Sequence, residues 1–186
     1  MQRVSVVGIS GSGKTTVAGR RASLLRCAHI ELDSLYAQVA WRPLDDGRFR
    51  SIIDERTQAE RWVVDGSYRD VVSEGVVWQR ADTVVWLRLP KIATLAQLSA
   101  RCMRGVLGRG RSGNGARGGP TTDPFSLDAE RANIADVWAR YEDYDRQLAQ
   151  YRDDPRFAHI EFVVLSSRTD VEQWLAGVDH IPTRAE

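Results

Sequence analysis

The sequence has few cysteines and no long apolar run. Its two cysteines, Cys27 and Cys102, lie far apart in unrelated surroundings, which excludes a disulfide framework and a cysteine-based metal site. No apolar run approaches the ~18 residues of a membrane-spanning helix. The N-terminal M-Q-R-V-S-V-V-G leads directly into a strand pattern, without a leader-like segment. These absences predict a soluble, cytoplasmic protein with reduced, half-buried thiols and no membrane partner.

Excess charge of one sign is also missing. The 26 basic residues and 25 acidic residues give a net charge of +1, so the molecule lacks the positive field of a dedicated nucleic-acid binder. The histidines His29, His159 and His180 are isolated in the sequence, and an isolated histidine is a weak indicator of a site. Almost all basic residues are arginine, and the only lysines are Lys14 and Lys91. Lys14 therefore stands out against the composition.

Short β-branched runs alternate with longer helical stretches along the whole chain. The candidate strands cover residues 4–7, 28–32, 62–65, 83–87 and 160–165. Continuous apolar strands separated by helices predict a parallel sheet that is covered on both faces and joined by right-handed crossovers. The length of 186 residues fits one well-buried core. The predicted fold class is therefore α/β, with one doubly wound domain over residues 1–186.

Several helices have recognisable signals. Asp45 or Asp46 can cap a helix after the second strand. Thr169 with Glu172 forms a capping-box pattern that predicts the start of the last helix. A long amphipathic helix is predicted from residues near helical spacing, which are Ile134, Val137, Trp138, Tyr141, Leu148 and Tyr151. Helical periodicity favours core packing over base stacking for its aromatic side chains.

The segment from Gly105 to Pro124 is rich in glycine and has the composition of a chain that cannot order itself. Three arginines lie between its glycines, namely Arg109, Arg111 and Arg117. The segment is either a plain surface loop or a lid that orders over bound phosphate. Arg101 and Arg104 lead into it from one helix face, and guanidinium groups match phosphate oxygens. This placement favours the lid, with solvated arginines as the alternative.

The most specific motif is G-I-S-G-S-G-K-T, from Gly8 to Thr15, between the first strand and a helical stretch. Its glycines allow backbone N–H groups to point inward at anionic oxygens, and the helix N-terminus adds its positive dipole end. Lys14 would reach the β- and γ-phosphates, and Oγ of Thr15 would bind Mg²⁺. The predicted nucleotide-binding residues are Gly8, Ile9, Ser10, Gly11, Ser12, Gly13, Lys14, Thr15 and Thr16. A glycine-rich turn without a ligand is the alternative, which the flanking strand and helix disfavour.

Two aspartates follow predicted strands. Asp65 closes the third strand, where an enzyme with such a loop needs a carboxylate near the metal. A turn or helix cap is the alternative for Asp65. Asp33 follows the second strand, where it could accept the proton of an attacking hydroxyl or cap a helix. The two roles of Asp33 are compatible.

Together these motifs resemble the small P-loop kinases related to adenylate kinase. The resemblance rests on G-I-S-G-S-G-K-T, L-D-S-L-Y, W-V-V-D-G-S-Y-R at 62–69 and A-D-T-V-V-W-L-R-L-P at 81–90, and it covers nearly the whole chain. Within the family, the sequence is most similar to the branch known as topology modulation proteins. The resemblance implies a kinase core with a lid, a sheet order of 2-3-1-4-5, ATP as the phosphate donor and Mg²⁺ as the metal.

The resemblance also implies roles for individual residues. On the donor side, Asp65 would hold a metal-bound water, and Arg101 and Arg104 would act as lid-side catalytic arginines. The loop of residues 166–168, which includes Arg168, would lie beside the adenine.

On the acceptor side, Asp33 matches the hydroxyl-binding acid of uridine and shikimate-type kinases. Arg69 matches a substrate-contacting arginine, and Tyr68 lies beside it. The sequence E-L-D-S-L-Y replaces the T-G-D-x-x-R with which adenylate kinases grip AMP. This departure argues against AMP as the acceptor.

The leading hypothesis is an ATP-dependent phosphotransferase that acts on a small hydroxyl or phosphate acceptor, such as a nucleoside or a nucleotide. The alternative is a nucleotide-dependent regulator that hydrolyses slowly and binds a partner through the helix from Leu127 to Tyr151. A third possibility is nucleic-acid binding through the arginine-rich segment, which the net charge disfavours. ADP production that depends on an acceptor distinguishes the first hypothesis from the other two.

Overall fold

The computed structural model describes residues 1–39, 46–68, 71–109 and 127–177 of the chain. Five parallel strands form one sheet with the order β2-β3-β1-β4-β5. Hydrophobic clusters lie on both faces of the sheet, beneath the flanking helices. The predicted α/β fold is therefore confirmed, together with the strand order that the resemblance implied.

The predicted strands are confirmed to within one residue at each end. The strands are β1 (Arg3–Gly8), β2 (Ala28–Glu31), β3 (Trp62–Asp65), β4 (Thr83–Leu87) and β5 (Glu161–Leu165). The helices are α1 (Lys14–Leu25), α2 (Leu32–Val39), α3 (Asp46–Arg56), α4 (Val76–Arg80), α5 (Lys91–Arg109), α6 (Leu127–Arg152) and α7 (Arg168–Leu175), and a short 3₁₀ helix spans Pro155–Phe157. Within the described ranges, no helix is both long enough and apolar enough to span a membrane. Cys27 is half-buried and forms no disulfide, and burial raises the pKa of its thiol.

The central strand β1 is buried on both sides. Val4 and Val6 face a cluster with α1 and α7, whereas Val7 faces the larger cluster around Trp78. The Trp78 ring meets three other aromatic rings edge-on, and its Nε1 donates a hydrogen bond to Oγ of Ser5 (3.1 Å). A strand that is covered on both faces typically has a continuous apolar sequence, and this pattern made β1 predictable.

The last helix begins two residues earlier than predicted. Ser167 is its N-cap, because Oγ of Ser167 accepts from the Asp170 N–H (3.1 Å) and the Asp170 carboxylate accepts from the Ser167 N–H (2.9 Å). The prediction of a capping box from Thr169 and Glu172 is therefore wrong. Thr169 already lies inside α7, and Glu172 forms an ion pair with Arg20 of α1 (2.6 Å).

Helices α3, α5 and α6 also refine the predictions. Asp46 is the first residue of α3, and Asp45 lies outside the described residues. Helix α5 continues to Arg109, so the first part of the predicted loop is helical, and the rest of it lies beyond the described residues. In α6, Val137 is buried as predicted, but Trp138 is 56% exposed. Nζ of Lys91 lies 4.1 Å from the centre of the Trp138 ring, so this aromatic side chain packs at the surface.

Candidate active site at the carboxyl edge of the sheet

The loop between β1 and α1 curls at the carboxyl edge of the sheet. Gly11 and Gly13 have φ angles of +83° and +89°, a left-handed conformation that glycine adopts without steric cost. The Ser12 N–H donates to the Ile9 carbonyl (3.1 Å) and closes the turn. Gly13 is the N-cap of α1, which begins at Lys14. Strand, loop and helix are therefore arranged as a phosphate-binding loop requires.

Lys14 and Thr15 occupy the first positions of α1. Nζ of Lys14 donates to the carbonyl of Ile9 (3.1 Å), which folds the ammonium group over the loop. Oγ1 of Thr15 donates to Oδ2 of Asp65 (2.7 Å). A threonine hydroxyl has one hydrogen and two lone pairs. Since that hydrogen is donated to Oδ2 of Asp65, the lone pairs remain for a cation. Thr16 is the next residue of α1 and is exposed.

Asp65 is the last residue of β3, and its side chain is only 3% exposed. Burial raises the pKa of Asp65, and the hydrogen bonds from Thr15 and His29 oppose this rise, as does the charge of His29. Hydroxyl and carboxylate oxygens are the ligands that Mg²⁺ prefers, usually together with phosphates and waters. Thr15 and Asp65 therefore fit the metal that the sequence predicts.

Two residues of β2 lie beside Asp65 and were not predicted as site residues. Glu31 is the register partner of Asp65, and Nε2 of His29 lies 2.9 Å from Oδ1 of Asp65. Glu31 also accepts a hydrogen bond from Oγ of Ser34 (2.7 Å). The alternation H-x-E in β2 places His29 and Glu31 on one face of the strand. Because its partner is 36 positions away, His29 looked isolated in the sequence.

The first glycine of the loop is held by a closed ring of hydrogen bonds. The Gly8 N–H donates to Oη of Tyr144 (3.1 Å), and Oγ of Ser67 donates to the Gly8 carbonyl (3.2 Å). The Tyr144 hydroxyl then donates to Oγ of Ser67 (2.8 Å). Strand β3 ends at Asp65, opposite Val6, so these two side chains replace the missing strand beside Gly8. Burial raises the pKa of Tyr144 to about 12, which keeps its hydroxyl protonated.

The acceptor side contains Asp33 and an aromatic cluster. Helix α2 begins at Leu32, so Asp33 lies in its first turn. The alternative role of Asp33 as a helix cap would have required it at the N-cap position. Asp33 forms a hydrogen bond with Tyr68, and burial together with the Asp33 carboxylate raises the pKa of Tyr68. The Tyr68 ring contacts those of Tyr36 and Phe49, at centroid distances of 5.4 and 5.5 Å. Asp33 and Tyr68 are thus brought together beside this cluster.

For the remaining predicted site residues, the structure gives no contact with this group, or they lie outside the described part. Arg69 falls in a gap of the described ranges. Arg101 and Arg104 lie in α5, but their side chains are not among those described. Arg168 is exposed and is the first residue of α7, directly after the Ser167 cap.

No family model matches the sequence, and no match is found among curated proteins. Among solved structures, the fold is similar to that of shikimate kinase from Bacteroides thetaiotaomicron, with a TM-score of 0.51 and 15% identity over 95% of this chain and 96% of that one. It is also similar to shikimate kinase from Acinetobacter baumannii in complex with shikimate, with a TM-score of 0.50 and 17% identity over 96% of this chain and 90% of that one. The chain therefore shares the fold of these two kinases. In this fold, the Gly8–Thr15 loop, Asp65 and Asp33 all lie at the carboxyl edge of the sheet, where open α/β sheets bind their ligands.

Proposed function

We propose that this protein is an ATP-dependent phosphotransferase that moves the γ-phosphate of ATP to a small hydroxyl or phosphate acceptor. The observation that supports this most strongly is the contact between Oγ1 of Thr15 and Oδ2 of Asp65 (2.7 Å). This contact joins the start of α1 to the end of β3, beside the only lysine of the loop. We also propose that the protein belongs to the branch of these kinases known as topology modulation proteins, and this proposal rests on sequence motifs such as W-V-V-D-G-S-Y.

On the donor side, the backbone of residues 8–15 and the N-terminus of α1 would bind the β- and γ-phosphates. Lys14 would exchange its bond to the Ile9 carbonyl for phosphate oxygens. Thr15 would hold Mg²⁺ directly and Asp65 would hold it through water, and the bound metal supplies neutralisation of charge on the phosphates. Arg168 would lie on the adenine side.

On the acceptor side, a hydroxyl oxygen forms a bond to the γ-phosphorus while the bond from phosphorus to the β–γ bridging oxygen breaks and ADP leaves. The hydroxyl proton passes to the carboxylate of Asp33, which Tyr68 holds in place. Arg69 would contact the acceptor, and the lid-side Arg101 and Arg104 would neutralise charge on the transferred group. If the acceptor is itself a phosphate, its oxygen attacks without a proton transfer. Catalysis on this account is mainly positioning and charge stabilisation.

The direct test is ADP release from Mg-ATP across a panel of nucleosides, nucleotides, polyols and shikimate. At least one acceptor class should raise ADP production above the rate with ATP alone, and Lys14→Ala should abolish this increase while remaining folded. Lys91→Ala is the matched control, because it removes the only other lysine, which packs on Trp138 at the surface. A wild-type protein whose ADP production responds to no acceptor would argue for the regulator and against the phosphotransferase.

A further inference from the structure

The carboxylate of Asp65 is held on both of its oxygens. Oδ2 accepts from Oγ1 of Thr15 (2.7 Å), and Oδ1 lies 2.9 Å from Nε2 of His29. A carboxylate that serves a metal site is ionised and only accepts hydrogen bonds, so in that state Nε2 of His29 is the donor in this contact. With separate partners on its two oxygens, the carboxylate group cannot rotate without breaking at least one hydrogen bond.

The fold places His29 for this contact. In the β2–β3 register, Glu31 is opposite Asp65 and His29 is opposite Val63, so His29 lies diagonal to Asp65 on the same face of the sheet. Helix α1 covers that face. A Cβ added at Gly19 of α1 would lie 3.7 Å from Nδ1 of His29, so the helix closely approaches the imidazole ring. The ring is thus packed between the strands and α1, with 24% of its side-chain surface exposed.

We propose that His29 is a positioning residue for the metal-side carboxylate, because it holds Oδ1 of Asp65 and keeps Oδ2 turned towards Thr15 and the metal-bound water. This inference rests on the proposed function. If His29 holds Asp65 in this way, Oγ1 of Thr15 keeps donating its hydrogen bond to Oδ2 of Asp65, and the Thr15 lone pairs stay available to the cation. Removing an outer-shell partner of a metal ligand typically costs about 10- to 100-fold in metal affinity. Asp65 is such a partner of Thr15, and His29 acts on the metal through Asp65.

The test is equilibrium binding of a fluorescent ATP analogue while Mg²⁺ is titrated, with a parallel measurement in EDTA. His29→Leu should raise the Mg²⁺ concentration at half-saturation by up to about 10-fold, while the affinity in EDTA stays at the wild-type value. His29→Gln should keep the wild-type Mg²⁺ dependence, because its amide N–H reaches about as far as Nε2. His29→Asn should behave like His29→Leu, because its shorter side chain does not reach Oδ1.

Two further variants serve as a negative control and as a reference for the size of the effect. His159→Leu removes the other described histidine, whose Nε2 lies 3.1 Å from the Trp78 carbonyl, and should leave the Mg²⁺ dependence unchanged. Asp65→Asn should raise the Mg²⁺ concentration at half-saturation at least as far as His29→Leu does. If His29→Leu does not fold, the comparison of Gln and Asn at this position carries the test.

The outcomes separate this inference from the proposed function. Wild-type protein that binds the nucleotide without any Mg²⁺ dependence would overturn both. A wild-type protein that depends on Mg²⁺, with His29→Leu or His29→Asn showing the same dependence, would overturn the positioning role alone. The positioning role is also overturned if the His29 variants lower only the urea midpoint of unfolding, since that is the effect of a purely structural contact.

Discussion

Tyr144→Phe removes one hydroxyl from the closed ring that holds the first glycine of the loop. The Gly8 N–H loses its acceptor, and Ser67 loses the hydrogen that Tyr144 donates to it. Gly8 is buried, so its N–H has no easy access to water. The phenyl ring keeps its packing, which makes the substitution a test of the hydroxyl alone.

The expected magnitude follows from the orphaned N–H group. A buried polar group left without a partner costs about 1–3 kcal/mol. We therefore expect Tyr144→Phe to lower the free energy of unfolding by that amount. For a chain of this length, about 2–4 °C in Tm corresponds to each kcal/mol, so Tm should fall by roughly 2–12 °C. Nucleotide affinity should fall too, because Gly8 begins the loop that we propose binds the phosphates.

Urea unfolding followed by tryptophan fluorescence measures this effect. Tyr151→Phe is the matched control, because it is the same change in the same helix. The Tyr151 hydroxyl accepts from Nε2 of Gln147, one turn earlier in α6 (3.2 Å), and Gln147 can turn to water instead. The control should shift the free energy of unfolding by less than about 0.5 kcal/mol. Equal stabilities of the two variants would refute the role assigned to the ring.

Three further predictions concern the stability of the fold, and urea unfolding measures each of them. Gly66→Ala should lower the free energy of unfolding by about 1–3 kcal/mol more than Gly177→Ala. Both glycines have positive φ (+137° and +82°), but only at Gly66 would the new Cβ collide, at 2.8 Å, with the buried leucine that opens α2; equal costs would contradict this. Burial raises the pKa of Asp82, but hydrogen bonds from the start of β1 and from the neighbouring threonine outweigh it and lower the pKa below the ordinary 3.8. The stability that Asp82 provides is therefore present above pH 3.8 and lost as the pH falls through its lowered pKa. The urea midpoints of wild type and Asp82→Asn should differ at neutral pH and converge below pH 3.8. A difference between the two midpoints that does not change with pH would count against this. Ser167→Ala should lower the free energy of unfolding by about 0.5–2 kcal/mol, because it removes an N-cap, whereas Thr169→Ala should change it by less than about 0.5 kcal/mol. A larger effect of Thr169→Ala than of Ser167→Ala would favour the N-cap at Thr169 that the sequence predicted.

Local patterns were sufficient to predict the strands and the loop. Trp62–Asp65 and Thr83–Leu87 are continuous apolar runs because both faces of the sheet are covered, and their bounds were predicted to the residue. Asp65 was recognisable because it is the carboxylate that ends a buried strand. The position of the P-loop followed from residue types and spacing alone.

Contacts between distant residues could not be read in this way. His29 pairs with a residue 36 positions away, and Tyr144 bonds to Gly8 over 136 positions, so no local pattern marks either one. The start of α7 was misplaced because S-x-x-D from Ser167 and T-x-x-E from Thr169 both fit a capping box. The two hydrogen bonds between Ser167 and Asp170 decide in favour of the first.

The boundary of the glycine-rich segment was misplaced for a similar reason. Composition predicted a loop from Gly105 onwards, but α5 continues to Arg109. A glycine inside a helix costs about 1 kcal/mol relative to alanine. The helix formed by the preceding turns of α5 is stable enough to continue despite that cost. Composition indicates where a helix is weak, and not where it ends.

The central claim is that the Gly8–Thr15 loop holds the β- and γ-phosphates through Lys14. The most direct measurement compares the affinities of ATP and AMP for wild-type, Lys14→Ala and Lys91→Ala proteins in the presence of Mg²⁺. We expect wild type and Lys91→Ala to bind ATP more tightly than AMP, and we expect Lys14→Ala to lose this preference while its affinity for AMP is retained. A Lys14→Ala protein that still prefers ATP as strongly as wild type would contradict the account.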